Sequence, residues 1–341
     1  MRSSDTFERN TARVRPNSIE RGAAAKTTDS EVAVDPDSEK ASPGRPAVSV
    51  VIATWHRPAM LKRCLAAVAA QKLRPAEIVV VDNTEGEEAA QGVALAASAR
   101  YLVEPTRGVS RARNLGARTT RAEIVAFVDD DAVPEPDWLA ALLSEFADES
   151  VAAVTGCILP LADDDGAQSR TIFGGPERIV LDQDVPDWFE RASFGGVGQG
   201  SNLAIRRSVF SAWSGFDERL GAGTRVGAME EHHAFFSLVN RGYRVVYTPA
   251  AKVRHPPRRR EMQLQRDLRR ITAASFCMAL LLVEEPRHRR RAAQYALESF
   301  RGTPRSWRAE MAGPGASIPR WRKVLAQVAG LVLYVVSRRP W

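Results

Sequence analysis

The first dense apolar stretch is Val48-Ser-Val-Val-Ile-Ala53, a short β-branched run bounded by polar chain. Such a run predicts a buried strand. Pro58 to Gln71 has helical spacing instead: Leu61, Leu65, Val68 and Ala69 share one face, and Pro58 stands where a first turn tolerates it. Glu77 to Val81 reads as a second buried strand and Tyr101 to Val103 as a third. A helix over Gly108 to Thr120 leads into a strand at Ile124 to Val128, and Pro136 to Phe146 and Val151 to Thr155 repeat the helix and strand. Strands and helices alternating over short links predict a parallel sheet with right-handed crossovers. This is an α/β, Rossmann-like half, in which ligands bind at the carboxyl ends of the strands.

Past Gly156 the pattern loosens. Gly/Asp-rich loops at Asp163 to Gly175 and Gly195 to Gly200 surround short strands, Met229 to Arg241 predicts a helix, and Tyr243 to Tyr247 a strand. The globular unit is expected to span 46–257. Residues 258–341 read as an appended helical region, basic and partly apolar. Its two apolar runs, Ile271 to Val283 and Val324 to Val336, have 13 residues each, short of the roughly 20 that a spanning helix needs. They either pack on the domain or lie on a membrane surface, and their basic flanks favour the surface. Residues 1–45 are rich in Ser, Asp, Glu, Arg and Pro without an apolar period, so a disordered leader with no signal peptide is expected.

Apolar residues make up 44% of the 341 positions, enough for a sizeable core. The net charge of +7 is unevenly spread. Residues 252–341 carry 20 Lys and Arg against 6 Asp and Glu, which leaves 28 against 35 for residues 1–251. The basic excess therefore belongs to the tail, where it suits an anionic surface, lipid or nucleic acid. The tail arginines lack the interleaved aromatics of a single-strand platform, so no nucleic acid is expected. Cys64, Cys157 and Cys277 are far apart in sequence, which argues against a disulfide framework or a structural zinc site and suits a reducing cytoplasm.

The chemistry concentrates at strand ends. Asp129-Asp130-Asp131 follows the buried strand Ile124 to Val128. Three adjacent carboxylates repel one another unless a cation offsets them, and hard oxygen ligands suit Mg²⁺ or Mn²⁺. Taken alone the triplet reads more readily as a solvated acidic turn. Its place after a buried strand favours the functional reading. Asp82 also ends a strand, either starting a turn or accepting from a nucleotide base or ribose.

These segments resemble the GT-A-fold glycosyltransferases of family 2, over about Ala47 to His255. Val48 to Arg57 resembles the opening strand and nucleotide-pocket loop, with Thr54 and Arg57 matching and Trp55 where an aromatic is usual. The resemblance gives Asp82 the role of recognising the base. Gly108 to Gly116 contains Ala-Arg-Asn, whose Arg faces the nucleotide site, here Arg113. The triplet matches the DxD motif: Asp129 and Asp130 stand at the nucleotide, Asp129 and Asp131 at the metal. Gly198 to Arg206 resembles a loop near donor sugar and acceptor, which marks Gly200, Ser201 and Asn202. Glu230-Glu231 falls where the family has Glu-Asp, with the general base at the second position, and His255 matches a His that closes the metal site. Two departures bear on acceptor chemistry: Glu replaces Asp at the base position, and His233 stands where a further Asp is usual.

The resemblance implies a mostly parallel mixed sheet flanked by helices, with a divalent cation, Mg²⁺ or Mn²⁺, as cofactor. It implies transfer from a nucleotide-sugar donor to the hydroxyl of a glycan, lipid-linked or small-molecule acceptor, with inversion. A cytoplasmic enzyme held peripherally at the inner membrane face is expected. A nucleotidyltransferase is the competing enzyme class, but Ala53-Thr-Trp-His-Arg-Pro58 lacks the glycine-rich phosphate loop it needs after the first strand. A degenerate adaptor at the membrane is the non-catalytic alternative, against which the full set of carboxylates speaks.

Overall fold

Strand β1 (Val48–Thr54) is the axis on which the site is built. It pairs in parallel with β2 (Glu77–Asp82) on one side and β4 (Ile124–Asp129) on the other, while β3 (Arg100–Val103) extends the β2 edge. The registers set Thr54 beside Asp82 and Ala53 beside Asp129, so three strands end together. Chain order reverses between β1 and β4, and such a switch point opens a crevice at the carboxyl ends. The computed structural model describes residues 46–161, 172–256, 263–301 and 318–338. The expected leader, residues 1–45, lies outside them, as do residues 162–171 of the first Gly/Asp-rich loop.

Among the described residues the sheet has nine strands, in the order β3-β2-β1-β4-β8-β6-β9-β5, with β7 paired to β9. Here β5 is Val133–Pro134, β6 Val151–Pro160, β7 Ile179–Leu181, β8 Asn202–Arg206 and β9 Arg244–His255. Strand β8 runs antiparallel between β4 and β6, whereas β6 and β9 are parallel. The class is the mixed, helix-flanked α/β fold expected. Alternation along β1 divides the core: Val50 and Ile52 meet Leu61, Leu65 and Val68 of α1 (Pro58–Ala69), while Val51 faces Ala112 and Ala117 of α3 (Val109–Thr119). Helix α4 (Trp138–Ser144) closes the first layer. Helices α5 (Trp188–Phe194) and α7 (Glu230–Asn240) help form the second.

Several elements extend or escape the sequence reading. Helix α2 (Glu88–Ala96) buries only Ala90 and Ala94, and such small residues leave a faint apolar period. Strands β6 and β9 run about five and eight residues beyond the predicted ends, with a register shift between Gly156 and Cys157. Helices α5 and α6 (Arg207–Trp213) lie in stretches read as loops and short strands.

The two apolar runs of the C-terminal region behave differently. The first belongs to α8 (Gln263–Glu284), whose Ala273, Ala274, Phe276, Cys277 and Leu280 are buried in the same core as the sheet. The membrane-surface alternative fails there. Helix α9 (Arg289–Arg301) adds Tyr295, stacked on Phe194 at 4.0 Å between ring centroids. The second run belongs to α10 (Arg320–Ser337), which packs by one face only. Its Gly330 lies against the backbone of Thr272 and Phe276, so closely that any side chain there collides. The three cysteines are free and buried.

Candidate active site

The carboxyl ends of β1 and β4 bring the acidic triplet and the first loop together. Thr54 Oγ1 donates to Asp130 Oδ2 at 2.8 Å, and the Trp55 amide approaches the same oxygen at 3.4 Å. Arg57 Nη1 donates to Asp130 Oδ1 at 3.2 Å and to Asp131 Oδ2 at 2.7 Å. Burial pushes the Asp130 carboxyl up to about 6, although Arg57 and the Thr54 hydroxyl pull the other way.

Strand β5 pairs Val133 with Arg254 and so carries His255, at the end of β9, to the triplet. His255 Nε2 lies 3.1 Å from Asp131 Oδ1. Burial raises the Asp131 carboxyl, but His255 and Arg57 outweigh it and hold the group below its usual range. Burial lowers His255, yet Asp131 raises it further. The other ring nitrogen, Nδ1, is 3.0 Å from the carbonyl oxygen of Pro256. A proton on Nδ1 donated to that carbonyl leaves the Nε2 lone pair facing Asp131.

Asp129, Asp131 and His255 offer ligand atoms that all lie within 4.8 Å of one another. Asp131 Oδ1 is buried and, among the described residues, has no hydrogen-bond partner beyond the His255 approach. Two carboxylates and an imidazole suit Mg²⁺ or Mn²⁺, so the residues present fit a divalent cation.

Arg113 projects from α3 into the protein and is 4% exposed. Its Nη2 donates to Asp129 Oδ1 at 2.9 Å and its Nη1 to Glu230 Oε1 at 3.0 Å. Gly200 makes room for it: a Cβ there would stand 2.7 Å from Nη1. Glu230 and Glu231 occupy the first turn of α7, where the helix dipole favours negative charge. Burial first, and the neighbouring Glu231 second, push Glu230 up to about 8 against the pull of Arg113. Glu231 goes the other way. Burial raises it, but His232, with Nδ1 3.8 Å away, outweighs that and holds it well below the usual range. Met229, just before the helix, has a φ of 78°, a left-handed backbone that a side chain makes costly.

Above these groups lies a cleft of about 620 Å³. Thr54, Trp55, Arg57, Arg113, the whole triplet and Glu230 line it; Glu231 does not. The loop from Ala222 to Gly227 forms a further wall, with Asn83, Arg107 and Arg269. Trp55 is 41% exposed, with the Arg107 guanidinium 4.0 Å from its ring centroid. Sequence reasoning missed these last contributors. Asn83 had a signal, being next to Asp82 at a strand end: it accepts from the Gly108 amide and donates to the carbonyls of Glu104 and Thr106, shaping the segment that carries Arg107. Arg269 had none, because helix α8 approaches the cleft only through tertiary packing.

Two expectations need correction. Asp82 is fully buried, and its carboxylate accepts from Tyr101 Oη at 2.5 Å, Thr84 Oγ1 at 2.8 Å and the Glu87 amide at 2.8 Å. Asp82 does not line the cleft; its neighbour Asn83 does. Asn202 is also fully buried, tying the carbonyls of Cys157 and Ala251 to the Trp138 indole, which makes it a cross-link of the sheet. Neither it nor Gly200 nor the buried Ser201 lines the cleft.

Comparison with known proteins agrees with this geometry. Residues 49–213 match the model of glycosyl transferase family 2. The chain is 29% identical over 231 residues to the glucosyl-dolichyl phosphate glucuronosyltransferase of Haloferax volcanii, covering 61% of this chain and 68% of that protein. It is 28% identical over 221 residues to the pre-mycofactocin glycosyltransferase of Mycobacterium tuberculosis, covering 62% of this chain but only 43% of that protein. Among solved structures, S. aureus TarS 1-349 superimposes with a TM-score of 0.55 at 13% identity, over 86% of this chain and 82% of that one, a likeness of fold. The β1–β4 crevice and its acidic triplet thus lie within the segment, residues 49–213, that matches glycosyl transferase family 2.

Proposed function

We propose that the protein transfers a glycosyl group from a nucleotide diphosphate sugar to an acceptor hydroxyl, with inversion and with a divalent cation at Asp129, Asp131 and His255. The convergence of these three side chains, with Asp129 and Asp131 lining the switch-point cleft, carries the reading. When bound, the cation neutralises charge on the departing nucleotide diphosphate. The protein's own residues do the rest. Trp55 and Arg107 present a flat face and a cation to the nucleoside, with Asn83 nearby for polar contacts. Thr54 and Arg57 hold Asp130 and Asp131 in place. Arg113 fixes Asp129 relative to α7. Glu230 is tied to Arg113, and we assign the acceptor's proton to Glu231, its neighbour in the first turn of α7, on the family resemblance of that position. The H. volcanii relative, named for a dolichyl phosphate glycan, makes a lipid-linked acceptor the favoured class.

Thermal melting with UDP, GDP, dTDP and their sugars, with and without Mn²⁺, tests the donor site. A ligand at 100 times its Kd should stabilise by about 2.7 kcal/mol. The shift should require Mn²⁺, pick out one nucleotide and vanish in Asp131→Ala. No shift with any nucleotide would return the lead to a non-catalytic adaptor.

The histidine ligand gives a second expected outcome. His255 binds a cation only when neutral, and its proton is held more tightly than usual by Asp131. Protons therefore compete with the metal, and the Mn²⁺-dependent shift should grow from pH 6 to pH 8. A shift that is flat over this window would remove His255 from the ligand set.

A further inference from the structure

Among the described residues, one face of α10 has no cover. Trp321, Leu325, Val328, Val332 and Val335 recur at helical spacing and are 47–60% exposed. The opposite face, with Ala326, Gly330 and Tyr334, is buried against α8. From Val324 to Val336 every exposed residue is apolar. A continuous ridge of this kind marks an interaction surface.

The charges around it select the occupant. Residues 318–338 contain Arg320, Arg322, Lys323 and Arg338 and no acidic residue. The basic groups thus bracket the ridge at both ends, and Trp321 stands at one of them, as interfacial Trp does. A second copy docking by the same ridge would bring like charges together. An anionic bilayer complements both the apolar face and its basic ends. Crossing is not in question: among the described residues no helix is long and apolar enough to span a membrane.

We propose that α10 seats on an anionic phospholipid surface, with its ridge inserted at the boundary between headgroups and acyl chains and its arginines and lysine on the phosphates. The seat lies close to the cleft. Gly330 of α10 touches Thr272 of α8, and Arg269, three residues earlier on α8, lines the cleft. One turn of helix, about 5 Å, separates the two contacts along α8. The active site is thereby held at the surface where a lipid-linked acceptor resides. The docking itself rests on the ridge and its charges and stands independently of the transfer reading.

Flotation of the full chain with neutral phosphatidylcholine vesicles and with vesicles containing phosphatidylglycerol tests this. Wild type should float with the anionic vesicles, less so at high salt. The double variant Leu325→Glu/Val332→Glu should bind at least about tenfold more weakly, as should the independent variant Trp321→Ser. Leu95→Glu, at an equally exposed apolar site on α2, should float like wild type. These sites are on the surface, so melting temperatures should hold, and Trp321→Ser carries the test if the double variant does not fold. Absence of wild-type flotation, or flotation of folded ridge variants at the wild-type level, overturns the proposal. So does a wild-type dimer that the ridge variants convert to monomer without any vesicle binding, since a second copy then covers the ridge.

Discussion

Glu231→Gln should lower kcat by about 10²–10⁴-fold and leave the nucleotide-dependent thermal shift intact. The substitution keeps size and hydrogen-bonding capacity but removes the ability to accept a proton. The two carboxyls at the head of α7 are pushed apart by their surroundings: Glu230 upward by burial and its neighbour, Glu231 downward by His232. Paired groups separated in this way take different roles. Glu230 already bonds Arg113 at 3.0 Å, so Glu230→Gln should act mainly on stability and donor geometry. Steady-state kinetics of both variants decide the matter. If Glu230→Gln loses more kcat than Glu231→Gln, the cleft-lining glutamate is the base and the assignment to Glu231 is wrong.

Arg113→Met should destabilise the fold by about 3–5 kcal/mol, the usual consequence of leaving a buried charge without its partner. The guanidinium is enclosed and bridges Asp129 on β4 to Glu230 on α7, two elements that meet nowhere else through an ion pair among the described residues. The loss should depend on pH. Glu230 holds its proton more tightly in the folded protein than the ordinary carboxyl value of 4.5, and without Arg113 more tightly still. A raised acid costs stability as pH climbs from the unfolded value toward the folded one. Both folded forms hold that proton up to about pH 8, so the variant's deficit below wild type should be smaller at pH 7 than at pH 9, where wild type ionises Glu230 and the variant does not. Urea unfolding midpoints at the two pH values measure this. A deficit that is small or unchanged with pH would show that Glu230 is not held by Arg113.

Most of the first half of the fold was legible because its strands are continuous apolar runs and α1 and α4 carry branched or aromatic faces, whereas α2 buries only alanines. The triplet, Arg57, Arg113 and the Glu230-Glu231 pair were legible as residues through family resemblance, and the cleft brings most of them together. What the sequence concealed follows from long-range packing. Nothing local distinguishes Asp82, whose carboxylate is absorbed by Tyr101 nineteen residues later, from one that faces a ligand. Asn202 lies in a glycine-rich segment suited to a ligand loop, but three polar partners from β6, β9 and α4 claim it. Arg269 is one arginine among many in a basic tail until α8 is laid against the sheet. The two C-terminal apolar runs are alike in length, yet one is core and the other is half bare.

The burial of α8 also sets where this protein can be cut. Phe276, Cys277 and Leu280 fill the same interior as Phe189, Phe235 and Phe236, and Arg219, beside the cleft loop, grips Glu284 with two bonds of 2.8 and 3.0 Å. A chain ended after β9 would keep every catalytic motif and lose the floor beneath them. Grafting this domain therefore has to carry the helices along: the segment that matches the family, residues 49–213, is shorter than the unit that shares one core.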